Sequence, residues 1–288
     1  MEIERKLPLS GFVLKVIAMV LMTIDHIGVF MQMERMGDPV FVTVLRIIGR
    51  LALPIFLFLF IEGVRHTHSP YRYLGRIGIL YVLLSTFSAI AIYGFKKAIP
   101  GNIFTDLFYI LTFFVFLRDK GWRKLLCLIP LTFILGGYIC DVVEKFTDTT
   151  ILWYPYMLRP SYGLVSFLMA LGFYLAPKFI ALLTKQKDGG ESFTAFLETS
   201  QGRKAVNIAS GAFLFVIVLL LWGISYATPG RELGGFLDMS LETYSLLAIP
   251  FLYFYSGKRG YDSKAWRIFS YAYFPAHLVV LFLIFALI

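Results

Sequence analysis

Apolar residues run in long blocks along this chain, separated by short polar stretches. The blocks cover 11–33, 40–64, 74–95, 102–118, 123–144, 161–184, 205–227, 240–256 and 267–287. A helix needs roughly 20 predominantly apolar residues to cross the hydrocarbon core of a bilayer, and most of the blocks have that length. Blocks 102–118 and 240–256 are short, so they are expected to tilt little or to be partly re-entrant. The segment 151–160, ILWYPYMLRP, is aromatic and broken by proline. It reads as an interfacial loop, because Trp and Tyr favour the headgroup level. The pattern predicts an all-α, polytopic integral membrane protein of about nine transmembrane helices, one helical domain over 1–288.

Composition agrees. The 288 residues are 58% hydrophobic and 16% charged, with a mean hydropathy of +0.75. Soluble domains carry about 25% charged residues. The first block holds Lys15, Asp25 and His26 and lacks a small-residue cleavage site, so it is expected to be a retained helix and not a signal peptide. With the N-terminus placed in the cytoplasm, roughly three times as many Lys and Arg fall in inner loops as in outer ones. That bias predicts N-terminus in and C-terminus out. It also explains most of the net charge of +9. The charge is dispersed over short loops, which argues against nucleic acid as a partner.

One sizeable polar insertion stands out, KQKDGGESFTAFLETSQGRK at 185–204. It reads as a cytoplasmic linker in which ESFTAFLETS forms a short interfacial helix with Phe193, Phe196 and Leu197 on one face. Cys127 and Cys140 share the fifth block, about 20 Å apart at the helical rise, and cannot pair with each other.

Ionisable groups inside a bilayer are costly and mark candidate sites. The deep ones are Lys15, Asp25 and His26 in the first block, Arg46, Arg50 and Glu62 in the second, Asp141 at the end of the fifth, and His277 in the ninth. Lys15 and His26 are eleven residues apart, close to three helical turns, and share a face. Arg46 and Arg50 share a face of the second helix. Gly49 and Ala52 beside them allow a close neighbour. Asp25 and His26 diverge by about 100°. Asp25 is therefore expected to meet Arg46 or Arg50, leaving His26 to face a cavity. Two readings stay open for the Asp–Arg group, a structural ion pair or a working site. Glu62 is expected to pair with Arg65 or Arg76. His66 and His68 have no third ligand nearby, so no metal is expected. There is no HExxH, GxSxG or phosphate-cradling glycine loop, which leaves hydrolases and nucleotide-driven pumps without motif support.

Three segments resemble a known family. LKVIAMVLMTIDHIGVF at 14–30 is similar to the opening of the TraX family, named for the enzyme held to acetylate pilin N-termini. RIIGRLALPIFLFLFIEGVRHT at 46–67 resembles its second block, and LYFYSGKRGYDSKAWRIFSYAYFPAHL at 252–278 its last, with Ser256 where the family often has asparagine. The family is similar in turn to wider membrane acyltransferases that use a basic residue and a histidine eleven apart on an early helix, here Lys15 and His26. The resemblance implies acetyl transfer from acetyl-CoA to an envelope acceptor, a protein N-terminus or a glycan, in the bacterial inner membrane. It implies His26 as general base or transient acetyl carrier, with Asp25, Arg46, Arg50 and His277 beside it. Arg46 or Arg50 would stabilise an oxyanion or neutralise Asp25, and His277 would serve as second proton carrier or substrate contact. Lys15, Arg72, Arg76 and Arg259 would hold the anionic donor, with Arg118, Arg123, Lys124 and Lys258 also on the inner side. The alternatives are a proton-coupled transporter, which buried Asp, Arg and His also suit, and a non-enzymatic scaffold.

Overall fold

The structure is a computed structural model that describes residues 7–96, 100–149, 151, 154–227 and 239–286. Its elements are helical. Among the described residues the only extended pairing is an isolated bridge between Leu9 and Tyr255. Helix α1 is Gly11–Met33, α2 Pro39–Gly49, α3 Ala52–His66, α4 Pro70–Ala89, α5 Ile103–Leu117, α6 Leu128–Thr147, α7 Gly163–Leu183, α8 Glu191–Glu198, α9 Ser200–Ala227, α10 Ile249–Tyr253 and α11 Lys264–Ala286. Local chemistry sets several starts. Ser10, Asp38 and Asn102 accept from backbone N–H groups of the first turns of α1, α2 and α5, and Pro39 and Pro70 open α2 and α4, where a missing N–H costs nothing.

The protein is a multi-pass membrane protein. Seven described helices or helix pairs are long and apolar enough to cross a bilayer. The sequence pattern predicts about nine, and the difference lies in the two short blocks. Helix α5 has 15 residues, short of full spanning length. Block 240–256 is a tight 3-10 turn, Glu242–Ala248, followed by the five-residue α10. Pro250 lacks an N–H to donate to the carbonyl four residues back, and it stands in the first turn of α10, where that loss costs nothing. Among its described residues, segment 151–160 holds a single helical element, the 3-10 turn Tyr156–Leu158, as its proline content predicts.

Block 40–64 is one span but two helices. Pro54 lacks an N–H for the Arg50 carbonyl, and its ring crowds that carbonyl. The helix breaks at Arg50–Leu51, in the middle of the span. Gly49, at the end of α2, lies against α1 so closely that a Cβ there would meet the Asp25 Cβ at 2.2 Å. Small residues let helix backbones approach where lipid gives no hydrophobic drive for association. This contact fixes Asp25 against the break.

Helix ends and connecting segments at 9–11, 62–70, 118–120, 184–204 and 254–263 meet at one end of the bundle. Gly11 and Phe12 N–H groups donate to the carbonyls of Lys258 and Arg259, both at 2.8 Å, so the closing turn caps the first helix. Arg118 donates to the Val64 carbonyl at 2.9 Å. Arg65 pairs with Asp188 and Arg203 with Glu62, each at 3.3 Å. The expected partner of Glu62 was Arg65 or Arg76. Arg203 takes that place because α9 begins at Ser200, five residues before the predicted start, and carries its first turn against α3. Phe193 of the predicted interfacial helix is 1% exposed, so α8 docks on protein and not on lipid alone.

At the opposite end, buried Asp106 accepts from the N–H groups of Ser161, Tyr162 and Gly163 and from the Ser166 hydroxyl, at 2.7, 3.0, 2.8 and 2.7 Å. Four donors converge on one carboxylate and tie α5 to the start of α7. Asp106→Ala leaves the buried Gly163 N–H and the half-buried Tyr162 N–H without an acceptor, and about 1–3 kcal/mol is lost for a donor stranded in this way. We expect a large drop in the melting temperature of the detergent-purified protein, and a smaller one for Asp106→Asn. An unchanged melting temperature in Asp106→Ala means the clamp contributes nothing.

Candidate functional site

The break between α2 and α3 turns two arginines toward α1. Arg46 donates to Asp25 Oδ1 at 2.6 Å, and Arg50 Nη2 donates to both Asp25 oxygens at 2.8 Å. The other arm of Arg50 bonds Glu242, at the start of the 3-10 turn. Asp25 thus meets both arginines. The four side chains form a chain, Arg46–Asp25–Arg50–Glu242, with two positive and two negative groups. Asp25, Arg50 and Glu242 are buried. Balanced charge is the condition for keeping such groups away from water. Tyr162 lies over the Arg50 guanidinium, 5.9 Å from ring centre to Cζ.

His26, one residue on, points elsewhere, as the 100° step requires. Its Nδ1 lies 2.9 Å from His277 Nε2, and His277 Nδ1 lies 3.0 Å from the Tyr273 carbonyl oxygen. A carbonyl only accepts, so His277 Nδ1 carries a hydrogen. In the neutral ring its Nε2 then accepts, and His26 Nδ1 is the donor. The relay leaves the lone pair on His26 Nε2.

Three cavities follow α1. The first, about 420 Å³, opens at the arginine-rich end and is lined by Lys15, Arg76, Arg259 and Arg267, with the carboxylates Glu62 and Asp262. Arg267 donates twice to Asp262, at 2.6 and 2.7 Å, and holds its carboxyl below the usual carboxylate range. The second, about 120 Å³, is largely apolar and lies deeper, lined by Met19, Met22, Phe56 and Phe274, with His26, Tyr162 and the paired Asp25 and Arg50 also in its wall. The third, about 420 Å³, lies toward the opposite end, against Asp25, Arg46, Arg50, Tyr138 and Glu242. His26 lines both the second and the third.

The sequence-derived set is therefore partly assembled. His26, Asp25, Arg46 and Arg50 come together. His277 sits behind His26 and is not among the residues lining these cavities, so it orients and does not touch a substrate there. Lys15, Arg76 and Arg259 share the first cavity, but Arg72 is not in its lining. Arg118 is engaged by the Val64 carbonyl and the Tyr174 ring. The side chain of Asp141 lies outside the described residues. Glu242, Asp106 and Tyr162 were missed. Glu242 and Asp106 fall inside predicted blocks 240–256 and 102–118, so counting every acidic residue within a block finds them. Nothing in the sequence marks Tyr162.

Removing Asp25 leaves the buried Arg50 and the half-buried Arg46 facing one glutamate. We expect Asp25→Ala to cost about 3–5 kcal/mol of stability, as for other broken buried pairs. Adding Arg46→Met restores one charge of each sign and should recover part of the loss in melting temperature. A double variant less stable than the single one would show that charge balance is not what holds the group.

The family model described as TraX protein matches residues 10–179 and ends before the closing segment 252–278. A Rickettsia prowazekii protein described as uncharacterised is 31% identical over 161 residues, 56% of this chain and 53% of its own length. A probable fimbrial assembly protein, FimC of serogroup H1, from Dichelobacter nodosus is 33% identical over 84 residues, 29% of this chain and 33% of its own length. The chain thus spans about half of the first relative and a third of the second. No solved structure matches. With the family model covering more than half of its length, from the start of α1 to within α7, the chain belongs to the TraX family.

Proposed function

We propose that this protein is a membrane-embedded acetyltransferase that uses acetyl-CoA as donor and an envelope-associated amine or hydroxyl as acceptor. The observation that carries the reading is the position of His26. It stands where a largely apolar internal cavity meets a polar cavity toward the other end of the bundle, with the lone pair of Nε2 free.

The residues of the first cavity suit the donor. Lys15, Arg76, Arg259 and Arg267 gather four cationic side chains at one mouth, against Glu62 and Asp262, and Arg267 already neutralises Asp262. Phosphate groups are bound well by such charge-assisted donors. Trp266 and Tyr261 in the same wall offer aromatic faces. Acetyl-CoA supplies an activated acetyl group. The narrow, largely apolar second cavity, between this mouth and His26, suits its uncharged arm. His26 takes the proton of the acceptor as general base. His277 and the Tyr273 carbonyl hold the imidazole in the tautomer that this role needs. The charged quartet keeps Asp25 paired, so that no free carboxylate draws the imidazole away.

On this reading the arginine-rich end faces the cytoplasm and the chain lies in the bacterial inner membrane, with the third cavity open to the envelope. The name of the fimbrial relative makes a surface-fibre subunit one acceptor of the proposed class.

The test is acetyl-CoA binding and CoA release by protein purified in detergent, with hydroxylamine as a small acceptor. We expect saturable binding, CoA release, and loss of release but not of binding in His26→Ala. His277→Ala should lower turnover about 100-fold or more, the lower range for a general acid–base contribution. Normal turnover in His26→Ala overturns the assignment. No binding by folded protein overturns the acetyltransferase reading in favour of transport, to be measured as flux in liposomes.

A further inference from the structure

His26 accounts for the proton, but acyl transfer also places negative charge on the carbonyl oxygen. The two arginines beside His26 are the obvious groups to meet that charge, and the geometry argues against them. Arg50 has both terminal nitrogens on carboxylates, and Arg46 has one on Asp25. Their charge is balanced within the quartet, and moving Arg50 uncovers two buried carboxylates, while Arg46 is tied to Asp25 through one arm.

The hydroxyls of the second cavity are Ser270, Tyr273 and Tyr162. Ser270 donates to the Trp266 carbonyl at 2.6 Å, and the Tyr273 hydroxyl is bonded to Thr23 Oγ1 at 2.6 Å. Tyr162 alone among them has no hydrogen-bond partner for its hydroxyl among the described residues. Like His26, it lines both the second and the third cavity. Its backbone is held firmly. Asp106 accepts from the N–H groups of 161, 162 and 163, and the ring rests over Arg50 at 5.9 Å. A phenol fixed by its main chain, with its hydroxyl unengaged at the junction, is a preorganised donor.

We propose that Tyr162 is a catalytic residue of the acetyl transfer, donating its hydroxyl hydrogen bond to the acyl oxygen, and that Asp106 is the positioning residue that holds it. The proposal rests on the acetyltransferase reading. The acceptor heteroatom bonds to the carbonyl carbon, its proton moves to His26 Nε2, and the C=O π pair moves onto the oxygen that Tyr162 faces. The pair then returns, the C–S bond breaks, and the thiolate leaves with the proton held on His26. Tyr162 keeps its own proton throughout.

Tyr162→Phe removes one oxygen and keeps the ring over Arg50. With acetyl-CoA and hydroxylamine as substrates, we expect kcat to fall about 100-fold, the typical effect of losing one such donor, with the Kd for acetyl-CoA unchanged. Asp106→Asn should lower kcat less, and should lower it no further once Tyr162 is Phe, because its effect passes through that hydroxyl. A readout independent of turnover comes from the carbonyl stretch of bound, 13C-labelled acetyl-CoA in the inactive His26→Ala background. Tyr162→Phe should shift it to higher frequency. Unchanged kcat and stretch in Tyr162→Phe, with active wild type, overturn the role of Tyr162 and leave the acetyltransferase reading standing. A folded wild type that binds no acetyl-CoA overturns both. Equal loss from Asp106→Asn with and without the Tyr162 hydroxyl reduces Asp106 to a structural clamp.

Discussion

Four charged side chains held out of water by one another organise this protein. Each of Asp25, Arg46, Arg50 and Glu242 would be costly alone within a membrane. Together they cancel, and the cancellation needs three separate segments to meet: α1, the break between α2 and α3, and the 3-10 turn after α9. That requirement brings the turn at 242–248 into the bundle. Arg50 is the hinge of the group, because its two arms reach carboxylates 25 and 192 residues away in the chain.

Two features of α2 and α3 make the arrangement possible. Gly49 offers no side chain where Asp25 comes closest, and Pro54 ends one helix and starts another at Arg50. A continuous helix with a larger residue at 49 would hold α1 away and leave Asp25 unpaired. The quartet in turn accounts for the freedom of His26. Its neighbour Asp25 is fully engaged, so the imidazole turns to His277 on the last helix. The pairing joins the first and last long helices across 251 residues. It matches the backbone joint between their preceding turns, where Gly11 and Phe12 donate to 258 and 259.

Much of the site was legible from residue types alone. Asp25, Arg46, Arg50 and His26 stood out because charge is rare in apolar blocks, and helical spacing separated Asp25 from His26 correctly. Glu62 shows where such reasoning ends. Its near neighbours on the helix offered partners, but Arg203, 141 residues on, is the one that bonds it. Arg118 and Arg72 were assigned by loop position to a cationic mouth. One is held by a carbonyl and the other is outside the lining, since position along the sequence does not say which way a long side chain turns. Tyr162 carried no signal, being one of 17 tyrosines, and acquires meaning only from Asp106 and Arg50 beside it.

What the sequence determined by itself was the class of solvent and the inventory of elements. The thickness of a bilayer acts on each segment separately, so a run of apolar residues declares its own helix without reference to any other. Proline and capping residues act within a few positions and mark breaks and starts in the same local way. The tertiary structure decided which charges cancel, which histidine nitrogen keeps its lone pair, and which cavities adjoin it. Those outcomes depend on distances of about 3 Å between groups far apart in the chain, and only packing sets such distances.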